Sequence, residues 1–147
     1  MKNNNVRKEL MFLYNAKSMT GIYFSTFVLF YLVLSALSNG ISNSVLGFMT
    51  AFQMLICSAL IGFSQETLIP EDKISLKRTI VWGILMFIIT IGFCEFFGWF
   101  SQVKIWCKIL FYLAVLISIL VVWLALEIKA NYDTKELNDA LKKFQSK

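Results

Sequence analysis

The sequence predicts an all-α integral membrane bundle of four transmembrane helices, with both termini in the cytoplasm and a short cytoplasmic C-terminal helix. Three observations predict it. Hydrophobic residues make up 58% of the 147-residue chain and charged residues 16%, with a mean hydropathy of +0.68, whereas soluble domains carry about 25% charged residues. No Asp, Glu, Lys or Arg occurs between Ser18 and Gln65, a stretch long enough for two spans of about 20 residues and a tight turn. Basic residues crowd to one side of the apolar segments, which sets the orientation by the positive-inside rule.

Each element follows in order. Residues 1–18 form a basic lead in which Val6, Leu10 and Leu13 recur at helical spacing. Span one covers about 19–37. Ala36 and Ser38 offer small residues for a signal-peptidase cut, but the apolar run exceeds the usual length of such a leader, so an uncleaved span is expected. Asn39-Gly40 and its polar neighbours make the turn. Span two covers about 45–63, and a connection carrying Pro70 and mixed charge leads into span three, about 78–100. Span four covers about 103–127, and a polar tail occupies 129–147.

Lys2, Arg7, Lys8 and Lys17 in the lead, Lys73, Lys77 and Arg78 in the middle connection, and Lys129, Lys135, Lys142, Lys143 and Lys147 in the tail share one side; only Lys104 and Lys108 lie on the other. That side is the cytoplasm. The tryptophans fit an aromatic belt, with Trp82 and Trp123 at the inner interface and Trp99 and Trp106 at the outer. The net charge of +5 would suggest nucleic acid in a soluble protein. Here it implies the anionic lipid bilayer as partner, with no direct nucleic-acid contact. The many Lys, Ile and Asn residues suit an AT-rich bacterial genome, hence a bacterial cell membrane.

Chemistry is sparse. Histidine is absent, which excludes Ser-His-Asp and Cys-His catalysis and His-ligated metals. With no phosphate-binding glycine loop either, no enzyme and no cofactor are expected. Glu95 is the one ionisable residue well inside a span, and such a residue is by default a functional candidate. It suits a proton-coupling carboxylate in a small transporter. Its other reading is an ion pair with Lys104 or Lys108 near the outer boundary, which the nearness of Trp99 favours. Gln53, near the middle of span two, either lines the same path or hydrogen-bonds across helices. Ser58 and Gly62, and Ala114 and Ser118, have the small-residue spacing of close helix packing. Cys94 and Cys107 admit a disulfide across the second hairpin or two free thiols, and proximity in sequence does not supply the geometry; Cys57 falls mid-span as a small apolar side chain.

In the tail, Asp133-Thr134-Lys135-Glu136 reads as a helix N-cap with Glu at the third helical position; the alternative is that span four continues into the tail and frays in water. Leu137, Leu141 and Phe144 then form one apolar stripe, suited to the membrane surface, to a second copy in a homo-oligomer, or to a partner's groove.

Taken in order, Leu76-Lys77-Arg78-Thr79, Gly98-Trp99-Phe100, Trp123-Leu124 and the run from Lys135 to Leu141 resemble elements of domain-of-unknown-function family 3021, small bacterial four-span membrane proteins. Members often carry a His where this chain has Trp82, so any role of that His is absent here. The resemblance implies a setting: such proteins are commonly encoded beside a LytTR-type DNA-binding regulator, and some restrain it. It therefore implies a non-enzymatic regulatory protein that contacts such a regulator through the lead, the middle connection and the stripe of Leu137, Leu141 and Phe144. The alternatives are a small transporter or channel using Glu95, and an immunity protein against a membrane-active peptide.

Overall fold

A computed structural model describes residues 2–69 and 75–145; the Pro70–Asp72 part of the middle connection, with Lys73, and the last residues, including Lys147, lie outside that description. Among the described residues every regular element is helical. Helix α1 spans Lys2–Asn39, a 3-10 turn Ile41–Asn43, α2 Phe48–Leu68, α3 Leu76–Phe96 and α4 Ile105–Gln145. All four α-helices are long and apolar enough to cross a membrane. Helices are the natural solution there, because each closes its own backbone hydrogen bonds where no water can. This is the architecture of a multi-pass membrane protein.

Sequence neighbours are also neighbours in space. The α1–α2 contact is the most extensive, α2–α3 comes next, and α3–α4 and α4–α1 are sparse. The helices thus run up and down around a ring. One end of the bundle, the hairpin end, holds the turns at 40–47 and 97–104. The other, the terminal end, holds the start of α1, the end of α2, the start of α3 and the extension of α4.

Two glycines shape the hairpin end. Gly40 (φ 87°) and Gly98 (φ 60°) take backbone angles that disfavour a side chain. Gly98 closes α3: the Phe97 N–H donates to the Phe93 carbonyl at 3.0 Å and the Trp99 N–H to the Cys94 carbonyl at 3.2 Å. The second bond, closing six residues around a left-handed Gly98, is the mark of a Schellman-type stop, and Trp99 packs back on Phe93 with ring centroids 6.4 Å apart. The helix therefore stops at Phe96 rather than continuing to Phe100 as the hydropathy suggests. Span two is also shifted from expectation, because Ser64–Leu68 continue the helix and Val45–Gly47 do not join it.

The core is a column of side chains at helical spacing. Ala16, Tyr23, Phe27 and Leu34 supply it from α1, Met54, Cys57, Ser58, Ile61 and Gln65 from α2, Thr79, Trp82, Met86 and Thr90 from α3, and Cys107, Phe111 and Val115 from α4. Aromatic rings fill the hairpin half: Phe111 lies 6.1 Å from Phe27 and 4.9 Å from Phe100. Close approach replaces hydrophobic drive between lipid-bathed helices, and Gly62 shows how close. A Cβ built there would meet the Ala16 carbonyl oxygen and the Thr20 nitrogen at 2.9 Å. The pair Ser58 and Gly62 is thus a true helix-crossing site. Ala114 and Ser118 are not: both are only half-buried, and the Ser118 hydroxyl turns back on the Ala114 carbonyl at 2.8 Å. The α3–α4 approach runs instead through Gly83, whose Cβ would fall 2.7 Å from a methyl of Ile119.

The tail differs from expectation. There is no break at Asp133, because α4 is unbroken over 41 residues to Gln145. Helix nucleation is the costly step, and a helix already formed in the span propagates through a segment lacking Gly and Pro. At about 1.5 Å per residue α4 reaches about 60 Å, twice the roughly 30 Å of bilayer hydrocarbon. The side chains of Asp133, Leu137, Leu141 and Phe144 fall outside the described residues.

Candidate functional site

The candidate polar side chains of the hairpin end, Glu95 and Gln53, fall in two separate groups. The first joins α3 to α4. Glu95 sits in the last turn of α3, and Lys108 and Tyr112 lie four residues apart on α4, hence on one face. The Lys108 ammonium lies 2.6 Å from each carboxylate oxygen of Glu95. The Tyr112 hydroxyl donates to Glu95 Oε1 at 2.5 Å and lies 3.5 Å from Cys94 Sγ. Glu95 is 51% exposed and Lys108 30%. Among the two partners the sequence allowed, Lys108 holds Glu95; the backbone N–H of Lys104 instead donates to Ser38 Oγ at 3.1 Å. Tyr112 was not singled out from the sequence, since a Tyr in an apolar span is unremarkable until its neighbour across the hairpin is known.

The second group is Gln53 and Trp99. Gln53 lies in the second turn of α2, not at mid-span, because α2 starts at Phe48. Its Oε1 accepts the Trp99 indole N–H at 3.2 Å, which ties the turn after α3 to α2. Gln53 and Glu95 are thus engaged by different partners.

This bond also corrects the aromatic belt. Trp99 is 3% exposed and Trp82 fully buried, so both belong to the bundle interior. Trp106 is exposed and Trp123 half-buried, so these two alone face outward. The Trp82 ring lies 6.4 Å from that of Tyr23, and its indole nitrogen has no hydrogen-bond partner among the described residues, an unusual state for a buried donor.

At the terminal end a third polar group ties α1 to α2. The buried Tyr23 hydroxyl donates to Gln65 Oε1 at 2.5 Å, and Asn15 Nδ2 donates to Glu66 Oε1 at 3.2 Å. Neither pair was anticipated. Their one sequence signal was that Gln65 ends the uncharged stretch in helical register with Ser58 and Ile61.

The cysteines form no bridge. Cys57, Cys94 and Cys107 are all free and buried. Cys94 faces Tyr112, whereas the Cys107 thiol donates to the Leu34 carbonyl at 3.6 Å, so the two sulfurs of the second hairpin serve different contacts.

Together the fold and these ties define a small four-helix membrane protein with polar locks at both ends and an overlong fourth helix. No family model, curated protein or solved structure matches the chain, so the resemblance to family 3021 rests on its four short elements alone.

Proposed function

We propose that the protein is a non-enzymatic regulator in a bacterial cell membrane, with both termini cytoplasmic, and that it restrains a soluble LytTR-type transcription regulator. The observation that carries this reading is the α4 extension. The helix that crosses the membrane continues without a break beyond Ala125. Leu137 lies roughly 18 Å past that point at about 1.5 Å per residue. A helix that stays straight to that height holds the stripe of Leu137, Leu141 and Phe144 away from the bilayer surface, which favours a protein contact over a lipid one. A partner's groove, or the same helix of a second copy, can receive it. The excess of basic residues at the terminal end supports a cytoplasmic position for that end.

Glu95 weighs against the transporter reading. It sits at the end of α3 with its charge matched by Lys108 and a hydrogen bond from Tyr112, whereas a coupling carboxylate is expected deep in the span and away from a fixed cation.

Restraint would act by sequestration: the regulator stays at the membrane while bound to the extension and is freed when α4 changes position. The test is in-cell cross-linking from photoreactive residues placed at Leu137, Leu141 and Phe144, followed by identification of the captured protein. Capture of the LytTR-type regulator, with its target genes derepressed on deletion of this protein, is the expected result. Absence of that regulator from the cross-links, with unchanged transcription on deletion, overturns the reading. So does a reporter at Lys147 accessible only from outside the cell.

A further inference from the structure

Buried polar side chains in this bundle are satisfied in two ways. Ser58, Thr79 and Thr90 turn their hydroxyls back on the carbonyl four residues earlier, at 2.7, 3.2 and 2.8 Å. Trp99 and Tyr23 instead reach across to a glutamine of α2, Gln53 and Gln65 respectively. Trp82 does neither. It is fully buried, and its indole nitrogen is the buried side-chain donor that meets no acceptor among the described residues. A hydroxyl on Cβ can reach its own backbone, but an indole N–H at the far edge of a double ring cannot. A donor taken from water without a new partner is costly, so the Trp82 N–H calls for one.

Three helices converge on the layer where it lies. Helical side chains lean toward the N-terminus of their own helix. For Tyr23 on α1 and Trp82 on α3 that direction is the terminal end. For Gln65 on α2, which runs the opposite way, it is the hairpin end, so the three lean toward one level. The Tyr23 hydroxyl donates to Gln65 Oε1 at 2.5 Å, and the Tyr23 and Trp82 rings lie 6.4 Å apart, tilted by 42°. Once its proton is given to Gln65, the Tyr23 oxygen still has a lone pair to offer, and the Gln65 amide carries N–H donors.

We propose that this layer is a binding site for one ordered water, which accepts the Trp82 N–H and donates to the Tyr23 oxygen. The class of ligand follows from the groups. A donor and an acceptor on one level need a partner that takes one hydrogen bond and gives another. It must also be uncharged, because no charged side chain is buried among the described residues. Internal waters make this kind of bridge between polar groups that lack a direct partner. The layer is within reach of solvent: Tyr23 and Gln65 are each 8% exposed, and Gln65 adjoins Glu66, whose bond to Asn15 marks the edge of the terminal end. Water-mediated bonds are nearly as favourable as direct ones. The bridge therefore hitches α3 to the Tyr23–Gln65 lock of α1 and α2, and three helices share one hydrogen-bonded layer.

The test is nuclear magnetic resonance of the full chain in lipid nanodiscs, with isotope-labelled tryptophan. The chain has four indole N–H signals, and that of Trp82 is the one lost in Trp82→Phe. The expected result is a cross-peak between the Trp82 indole proton and water, with none at Trp99, which is buried but bonded to Gln53. Tyr23→Phe removes the acceptor and keeps the ring; it should weaken that cross-peak and move the Trp82 signal upfield, leaving Trp99 in place. A wild-type Trp82 indole without a water cross-peak overturns the site, whether or not Tyr23→Phe folds. So does a Trp82 signal that folded Tyr23→Phe leaves unmoved. A wild-type signal already far upfield overturns it as well, because the N–H then points at the Tyr23 ring. None of these outcomes depends on what the α4 extension binds.

Discussion

The α1–α2 pair and the α3–α4 pair are both antiparallel hairpins of apolar helices, yet they are joined by different physics. Between α1 and α2 the backbones touch at Gly62, and side-chain bonds follow on the same side, Tyr23 to Gln65 and Asn15 to Glu66. The Phe12 and Phe63 rings meet beside them, tilted by 55° with centroids 6.2 Å apart. Between α3 and α4 the polar ties gather in one clamp at the hairpin end, and a groove opens below it. Lipid offers helices no hydrophobic reason to associate, so contact must come from shape or from hydrogen bonds. The first pair uses both near the terminal end, whereas the second keeps its bonds at the hairpin end and its close approach, Gly83 on Ile119, in the other half. Two differently joined halves follow from where small and polar residues fall on otherwise similar helices.

The largest expected effect tests the shape term directly. In Gly62→Ala the new methyl group meets backbone atoms of α1 at 2.9 Å, which cannot turn aside, so the two helices must separate. Overpacking of this kind costs about 1–3 kcal/mol. In Gly83→Ala the new methyl meets a single side-chain atom, the γ2 methyl of Ile119 at 2.7 Å, which moves only with the stiff χ1 of a β-branched residue; one contact in place of several should put the cost at the low end of overpacking, about 1 kcal/mol. Unfolding in detergent micelles, followed by helical circular dichroism, reads both; a Gly83 variant less stable than the Gly62 variant would reverse the comparison.

Next comes the buried hydroxyl. Tyr23→Phe leaves the buried Gln65 carbonyl without its donor and should cost about 1 kcal/mol or somewhat more. Tyr112→Phe removes a hydroxyl from a half-exposed clamp, where the loss should stay within about 0.5 kcal/mol. The same unfolding assay compares them, and equal losses would mean that the two locks are equally desolvated.

Which of these features were legible in advance follows from their physics. Four spans could be read because hydropathy is a property of segments, and a segment without charge between Ser18 and Gln65 has one sensible fate in a bilayer. Boundaries were less legible, since a backbone event decides them: Gly98 in the left-handed region ends α3 in the middle of an apolar run. Asp133 misled for the converse reason, because a capping residue ends a helix only when the helix is not already running. Trp82 and Trp99 were assigned to the interface by residue type, but the same indole suits a bundle interior when Gln53 offers an acceptor or a Tyr ring offers a surface. Glu95 with Lys108 was foreseeable because two charges near one short turn have few other partners. Tyr23 with Gln65 was not, because the two are 42 positions apart and uncharged. The contact stripe of Leu137, Leu141 and Phe144 rests on periodicity alone.

A smaller effect is expected where α2 meets the turn after α3. A double-mutant cycle of Gln53→Leu and Trp99→Phe isolates their bond, and inter-helix bonds in membranes typically contribute about 0.6 kcal/mol. A coupling near zero would mean that Trp99 is held by packing against Phe93 and Phe27, and that Gln53 is incidental.

The smallest effect on stability should come from the residue that looked most functional in the sequence. Glu95→Gln keeps a carbonyl oxygen for the Tyr112 hydroxyl and removes the charge opposite Lys108. An exposed ion pair exchanges good hydration for a screened attraction, and its removal commonly leaves stability unchanged. The unfolding midpoint of Glu95→Gln should therefore match wild type, and raising the ionic strength should not separate the two. Buried ion pairs behave oppositely, since breaking one strands a charge away from water. A large destabilisation would thus place Glu95 in a low-dielectric setting, where its charge would have to serve some purpose within the membrane. The Glu95–Lys108–Tyr112 clamp would then be the centre of a polar path instead of a surface tie between α3 and α4.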